Sequence, residues 1–225
     1  CIQQKKKKKM KNLLWNFKKV FFKDTDLLTA EKLNNTNISD KTLEIFRLRG
    51  SLKQINNIYY FWNYDRDFKL LISKLKFRGQ KNIAKDIACL IENGVGLVLE
   101  KEDIDYIIPV PISTQRESER GFNQTEVLLD ALKIHYLKIK RIKNTKKMFK
   151  ILEENKRNQN IKNSFFINND TNLSNKNILL FDDIVTTGAT LREIKSEILK
   201  KYKVNKIVVL ALAAAREIKL NKGSV

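Results

Sequence analysis

Three observations predict an α/β fold in which a parallel sheet is covered by helices on both faces. Short apolar runs recur at 104–110, 178–181 and 206–213 and lack the polar alternation of a half-exposed strand. Segments with apolar residues at helical spacing lie before and between them. The chain has 225 residues, 42% of them apolar, which suffices for one core of ordinary size.

Taken in order, residues 1–57 form a small basic N-terminal appendage and 58–225 the α/β domain. The chain opens on Cys1 and Lys5 to Lys9 and meets its first Met at position 10, so residues 1–9 are expected to be a translated leader or gene-start artefact. Residues 11–50 are polar, with scattered Leu, Trp and Phe and no clear period. The aromatic stretch Ile58 to Tyr64 reads as a strand. Phe68, Leu71, Ile72 and Leu75 mark a helix closed by Gly79; Ile83, Ile87 and Ile91 mark another, expected to close at Asn93-Gly94. Ile104 to Val110 reads as a buried strand stopped by Pro109 and Pro111, residues 112–121 as a polar loop, and Phe122 to Leu137 as a helix. Residues 143–163 are basic, Asn-rich and weakly patterned. After the run Ile178 to Phe181, Leu191, Ile194, Ile198 and Tyr202 mark a further helix, and Lys206 to Ala213 a last strand.

Composition excludes several classes. With 7 Gly and 2 Pro the chain is neither collagen-like nor of low complexity. Its longest unbroken apolar run, Ile207 to Ala215, is nine residues, against about 20 for a spanning helix. Two cysteines, Cys1 and Cys89, make neither a disulfide framework nor a four-cysteine zinc site, and the one histidine, His135, excludes a site built on several imidazoles. No secretory signal follows the basic start, so a cytoplasmic protein is expected. The net charge of +20 is uneven: +9 over residues 1–60, +1 over 61–140, and +5 each over 141–175 and 176–225. Such a balance suits nucleic acid or polyphosphate. A Lys count of 35 against 10 Arg, with abundant Asn and Ile, equally fits a compositional bias.

Chemistry concentrates in Ile178-Leu-Leu-Phe-Asp182-Asp183-Ile-Val-Thr186-Thr187-Gly188-Ala189-Thr190. Ligands of open α/β sheets bind at the carboxyl ends of strands, and two acids stand at this one. The small turn after them can close its backbone N–H groups round a phosphate, helped by Thr hydroxyls and the positive end of the following helix. Gly188 allows close approach or a positive φ. Adjacent carboxylates repel phosphate but accept from vicinal hydroxyls, directly or through a hydrated divalent cation. Acids for two hydroxyls beside a nest for one phosphate describe a ribose 5-phosphate. The plain alternative is an Asp pair capping a helix before an ordinary turn. No Gly-Lys-Ser/Thr follows the strand, so a P-loop is excluded.

This segment resembles the signature of type I phosphoribosyltransferases, which bind phosphoribosyl pyrophosphate (PRPP). Ile107-Ile-Pro109-Val110-Pro111, Arg116, and Arg120-Gly121-Phe122-Asn123-Gln124 resemble the ComF/GntX-type branch, proteins tied to DNA uptake in competent bacteria. Lys74-Leu-Lys76-Phe77-Arg78-Gly79 and Asn160-Ile-Lys-Asn-Ser-Phe165 fit that branch too, and the likeness runs from about residue 58 to 215. It departs in lacking the cysteines of the branch's usual N-terminal zinc module, and in Met148 standing where a Gln is expected after Thr145. The resemblance implies a type I phosphoribosyltransferase-like sheet, with Asp182 and Asp183 on the ribose hydroxyls and Thr186, Thr187, Gly188, Ala189 and Thr190 on the 5-phosphate. Pro109, Val110 and Pro111 would stand at the diphosphate loop. Arg116 and Arg120 would bind the diphosphate, or belong to a solvated charged loop with Glu117 and Glu119; Asn123 and Gln124 would instead cap or begin the next helix. It further implies Mg²⁺ bound with PRPP rather than at a protein metal site. The reaction would be displacement of pyrophosphate by a nitrogen nucleophile through an oxocarbenium-like transition state, with the loop 143–163 closing over it.

Three functional readings follow: a phosphoribosyltransferase with an unnamed acceptor; a non-catalytic DNA-uptake factor binding single-stranded DNA or a competence helicase; and a PRPP sensor. Charge reversal at Lys146, Lys147 and Lys150 is expected to flatten the salt dependence of any DNA binding. Tyr59, Tyr60, Phe61, Trp62 and Tyr64 fit a core strand more simply than a base-stacking platform. Cys89 is expected in buried packing and His135 on the helix after the loop, in a polar contact or solvent.

Overall fold

The computed structural model describes residues 25–33, 36–76, 82–141, 165–166 and 171–215. The expected start at Met10, the lysines at 146, 147 and 150, Met148, and Phe77 to Gly79 lie outside them. The chain divides into two compact units, 1–49 and 50–225.

The first unit is organised by one carboxylate. Asp26, 4% exposed, accepts from the N–H groups of Leu28 (3.0 Å), Thr29 (3.0 Å) and Ser39 (2.7 Å) and from the hydroxyls of Thr29 (3.1 Å) and Thr42. Ser39 caps helix α1 (Asp40–Arg49), its hydroxyl accepting from the Thr42 N–H at 3.2 Å. Ile38 and Phe46 are the buried apolar residues beside this knot in the sequence.

The second unit holds a five-stranded sheet in the order β1-β2-β7-β6-β3. Strands β1 (Lys53–Ile55) and β2 (Ile58–Asn63) form an antiparallel hairpin; β2, β7 (Lys206–Ala214), β6 (Asn177–Val185) and β3 (Tyr106–Pro109) run parallel. The parallel core agrees with the sequence reading, and β1 adds an antiparallel edge to it. β6 and β7 are central and read as continuous apolar runs because both faces are covered. On one face Ile58, Tyr60, Leu180 and Val209 pack with Leu191, Ile194 and Ile198 of helix α6 (Ala189–Lys201). Helices α2 (Arg66–Leu75), α3 (Ile83–Lys101), α4 (Thr114–Arg120) and α5 (Gln124–Ala131) complete the unit, with a two-stranded ribbon of β4 (Lys140–Arg141) and β5 (Phe165–Phe166). Residues Ile58 to Trp62 are all buried, so the aromatic stretch is a core strand and not a stacking surface.

Several local expectations are corrected. α3 does not close at Asn93-Gly94 but runs to Lys101. A Cβ at Gly94 would overlap the Phe61 ring, so this glycine marks where helix meets sheet. Cys89 is exposed, facing away from the buried row Ile83, Ile87, Ile91. The supposed loop 112–121 contains α4, capped by the Ser113 hydroxyl accepting from the Arg116 N–H at 3.3 Å. The helix expected over 122–137 is only α5, and Lys133, at φ 57°, turns the chain away before exposed His135. Pro109 does not stop β3 but lies inside it, on an edge strand where its missing N–H costs no ladder bond.

Candidate functional site

The site lies at the carboxyl ends of β3 and β6. Their register places Pro109 beside Phe181, and the Val110 N–H donates to the Phe181 carbonyl at 2.8 Å. The Val110 carbonyl accepts from Asn123 Nδ2 (3.2 Å) and Thr125 Oγ1 (3.3 Å), so the buried Pro109–Pro111 turn is fixed to the start of α5. This sets the end of β3 next to the Asp pair.

Asp182 and Asp183 are consecutive near the carboxyl end of β6, with their carboxyls close enough to interact. Asp182 is half-buried, and its Oδ1 accepts from the Asp183 N–H at 2.8 Å. Asp183 is 7% exposed and meets side chains from two other elements. Lys76 Nζ, at the end of α2, lies 2.5 Å from its Oδ2, and Gln124 Nε2, at the start of α5, donates to the same oxygen at 3.1 Å. Gln124 Oε1 in turn accepts from Arg120 at 2.7 Å. A chain of contacts thus runs Arg120–Gln124–Asp183–Lys76.

The two carboxyls diverge in acidity. Burial and the neighbouring Asp183 charge push Asp182 well above the usual carboxylate range. Burial would raise Asp183 too, but the Lys76 ammonium, the Asp182 hydrogen bond and the Arg120 charge together hold it low. Asp183 is therefore the more acidic member of the pair. Burial lowers the Arg120 pKa, opposed by the Asp183 charge, and Arg120 remains a cation. The charges of Lys76 and Arg120 both act on Asp183.

Beyond β6 the chain turns through Thr186, Thr187 and Gly188 into α6. Gly188 sits at φ 70°, the left-handed region where a Cβ is strained, and precedes the first helical residue, Ala189. Arg192 donates to the Thr187 carbonyl at 2.8 Å, holding the turn's back. Among the described residues, no hydrogen bond takes the N–H of Thr186, Thr187 or Gly188, and the first N–H groups of α6 have no intrahelical acceptor. Both threonines are exposed. This is the donor arrangement an anion needs.

The structure brings together Asp182, Asp183, the 186–190 turn, the 109–111 turn and Arg120. Arg116 is exposed one helical turn from Arg120, on the same face of α4, and makes no contact with the Asp pair. Asn123 caps α5 and Gln124 begins it, as the sequence leads one to expect, and Gln124 also reaches Asp183; Lys76, to which the sequence assigns no role, is the second partner of that carboxylate. The signal for Lys76 was its place in the stretch 74–79 that carried part of the resemblance. Among the described residues no group of three or more His, Cys, Asp or Glu is placed to hold a metal.

A phosphoribosyl transferase domain model matches residues 134–224. Competence protein F of Haemophilus influenzae is 33% identical over 163 residues, covering 68% of this chain and 70% of that protein. Competence protein ComFC of Bacillus subtilis is 29% identical over 160 residues, 70% of this chain and 63% of its own length. DNA utilization protein YhgH of Salmonella typhi is 30% identical over 148 residues, with 61% and 63% covered. The chain thus spans under two thirds of the length of the latter two relatives. Among solved structures, adenine phosphoribosyltransferase from Saccharomyces cerevisiae matches at 16% identity and TM-score 0.42, covering 83% of this chain and 95% of that one. The enzyme of the same name from Leishmania tarentolae matches at 13% and 0.42, covering 78% and 100%.

Proposed function

The chain belongs to the ComF-type family of phosphoribosyltransferase-fold proteins, and on that premise we propose that it binds PRPP, or another ribose 5-phosphate ligand, and transfers the phosphoribosyl group to a nitrogen acceptor. One observation carries this reading: the Asp182-Asp183 pair at the end of β6 leads directly into a turn whose N–H groups have no acceptor among the described residues. Asp182 and Asp183 accept from the ribose 2- and 3-hydroxyls. The N–H groups and hydroxyls of Thr186 to Thr190 hold the 5-phosphate at the head of α6. Arg120 meets the diphosphate, with exposed Arg116 adding longer-range attraction.

The donor set suits a magnesium ion that arrives with the ligand. Of the two carboxyls, one is raised in pKa and the other already paired with Lys76, so the diphosphate oxygens and water would hold most of the ion. Bound there, Mg²⁺ would offset charge on the leaving pyrophosphate. The chain's own part is to fix the sugar between two anchors and to keep the negative charge of Asp183 near the anomeric carbon as it becomes cationic. Among the described residues no helix is long and apolar enough to cross a membrane, and a cytoplasmic setting is part of the proposal.

Calorimetric titration with PRPP, with and without Mg²⁺, tests the reading. Micromolar, Mg²⁺-dependent binding supports it, and pyrophosphate release with a panel of amine acceptors then tests turnover. Folded protein that binds no PRPP overturns it. The relatives' names, with the charge of +9 over residues 1–60, favour a second reading: a non-catalytic DNA-uptake factor that engages single-stranded DNA or a helicase. The double variant Asp182→Asn/Asp183→Asn separates the two, since it removes PRPP binding and leaves single-strand binding within about threefold.

A further inference from the structure

We propose that Lys76 is handed from Asp183 to the ligand's diphosphate: it neutralises Asp183 before the ligand enters and pairs with the diphosphate once ribose hydroxyls replace it. This deepens the reading above and rests on it. The Asp183 and Lys76 side chains are 10% and 24% exposed, so the carboxylate is enclosed while the ammonium still reaches an opening. An enclosed carboxylate stripped of its cation is strongly destabilising unless other donors arrive together. Two vicinal hydroxyls are such donors, whereas a phosphate alone is not, because it brings no hydrogen-bond donor to Asp183. Lys76 closes α2 as its C-cap residue, so only its flexible four-carbon stem needs to move. Arg120 reaches the same carboxylate only indirectly, donating to Gln124 Oε1 while Gln124 Nε2 donates to Asp183 Oδ2. Lys76 is the cation paired directly with the carboxylate, and a ligand that carries both hydroxyls and a diphosphate releases and recaptures it in a single event.

The geometry makes ribose 5-phosphate and PRPP behave differently, because only PRPP carries the diphosphate. In the wild-type full chain, the acylation rate of the Lys76 amine, read by mass spectrometry, should rise at least about threefold with ribose 5-phosphate, which frees it. It should fall at least about threefold with PRPP and Mg²⁺, which recapture it. Lys76→Met should weaken PRPP binding about 10- to 100-fold, the worth of a hydrogen bond between charged groups, and leave ribose 5-phosphate within about threefold. Lys76→Arg should restore PRPP binding to within about fivefold. Equal loss of both ligands in a folded Lys76→Met protein, or the same reactivity change with both ligands, overturns the exchange and leaves the binding site standing. If Lys76→Met does not fold, the reactivity measurement decides alone. Wild-type protein that binds neither ligand removes the functional reading and the exchange together.

Discussion

Among the described residues two aspartates are buried, one in each compact unit, and both are held below the usual carboxylate range for opposite reasons. Burial raises Asp26, but the N–H groups of Ser39, Thr29 and Leu28 and the Thr42 hydroxyl, all neutral and within sixteen residues, outweigh it. Burial raises Asp183 as well, and what outweighs it is the charge and hydrogen bond of Lys76, a long side chain from a distant helix. The first carboxylate is tied by short backbone-anchored donors that have nowhere to go. The second is tied by a mobile cation that a better donor can displace. The same burial therefore yields a rigid knot in one unit and an exchangeable site in the other.

The largest effect expected is at the site. Asp182→Asn/Asp183→Asn should lower PRPP affinity at least about 100-fold, since two hydroxyl bonds to charged acceptors are lost. Titration calorimetry reads it, and hydrogen exchange over residues 28–42 should not change. A variant that also loosens 28–42 would break the separation. Next comes the knot. Asp26→Asn should cost about 2–4 kcal/mol of local stability, seen as faster exchange of the Leu28, Thr29 and Ser39 amides, with PRPP affinity within about twofold. The four residues on this carboxylate's network, Asp26, Thr29, Ser39 and Thr42, stand in two pairs three apart. Paired cysteines at that spacing bind zinc; here direct hydrogen bonds close the turn.

Gly188→Val should cost about 1–2 kcal/mol in backbone strain at φ 70° and weaken phosphate-bearing ligands about tenfold, with unmodified ribose unaffected. Acid should then sharpen the comparison. A carboxyl whose folded pKa is lowered gives stability that is present above its ordinary pKa and lost as pH falls from about 4 towards the folded value. Asp26 and Asp183 both behave so. Asp182, raised, contributes the opposite: its stabilisation is full below about 4 and lost as pH rises. Between pH 5 and 2 the amides of the knot should therefore lose protection more steeply than those around the Asp pair. The smallest effect expected is Arg116→Ala, at most about threefold in PRPP affinity, against tenfold or more for Arg120→Ala.

Much of this was legible in sequence because it was local. The runs at 178–181 and 206–213 are continuous in apolar residues since their strands are central, and the Asp-Asp and Thr-Thr-Gly-Ala-Thr order fixes acids and turn on one strand–helix corner. What escaped depends on distant segments. Gln124 meets Asp183 across 59 residues, and no helix-capping pattern signals that. Asn93-Gly94 has the look of a helix end, but Gly94 answers to the Phe61 ring, a contact invisible until β2 and α3 are packed. Cys89 sits among apolar neighbours in sequence, yet the helical turn points it to solvent. The acidity of the Asp pair was equally out of reach, because burial together with Lys76 and Arg120 sets it.

The most direct test of the central claim is hydrogen exchange on the wild-type chain with and without PRPP and Mg²⁺. The amides of Thr186 to Thr190 should slow markedly, because the 5-phosphate accepts from them, while those of Leu28, Thr29 and Ser39 stay as they were. Bound PRPP that leaves 186–190 unchanged, or protects another surface instead, would contradict it.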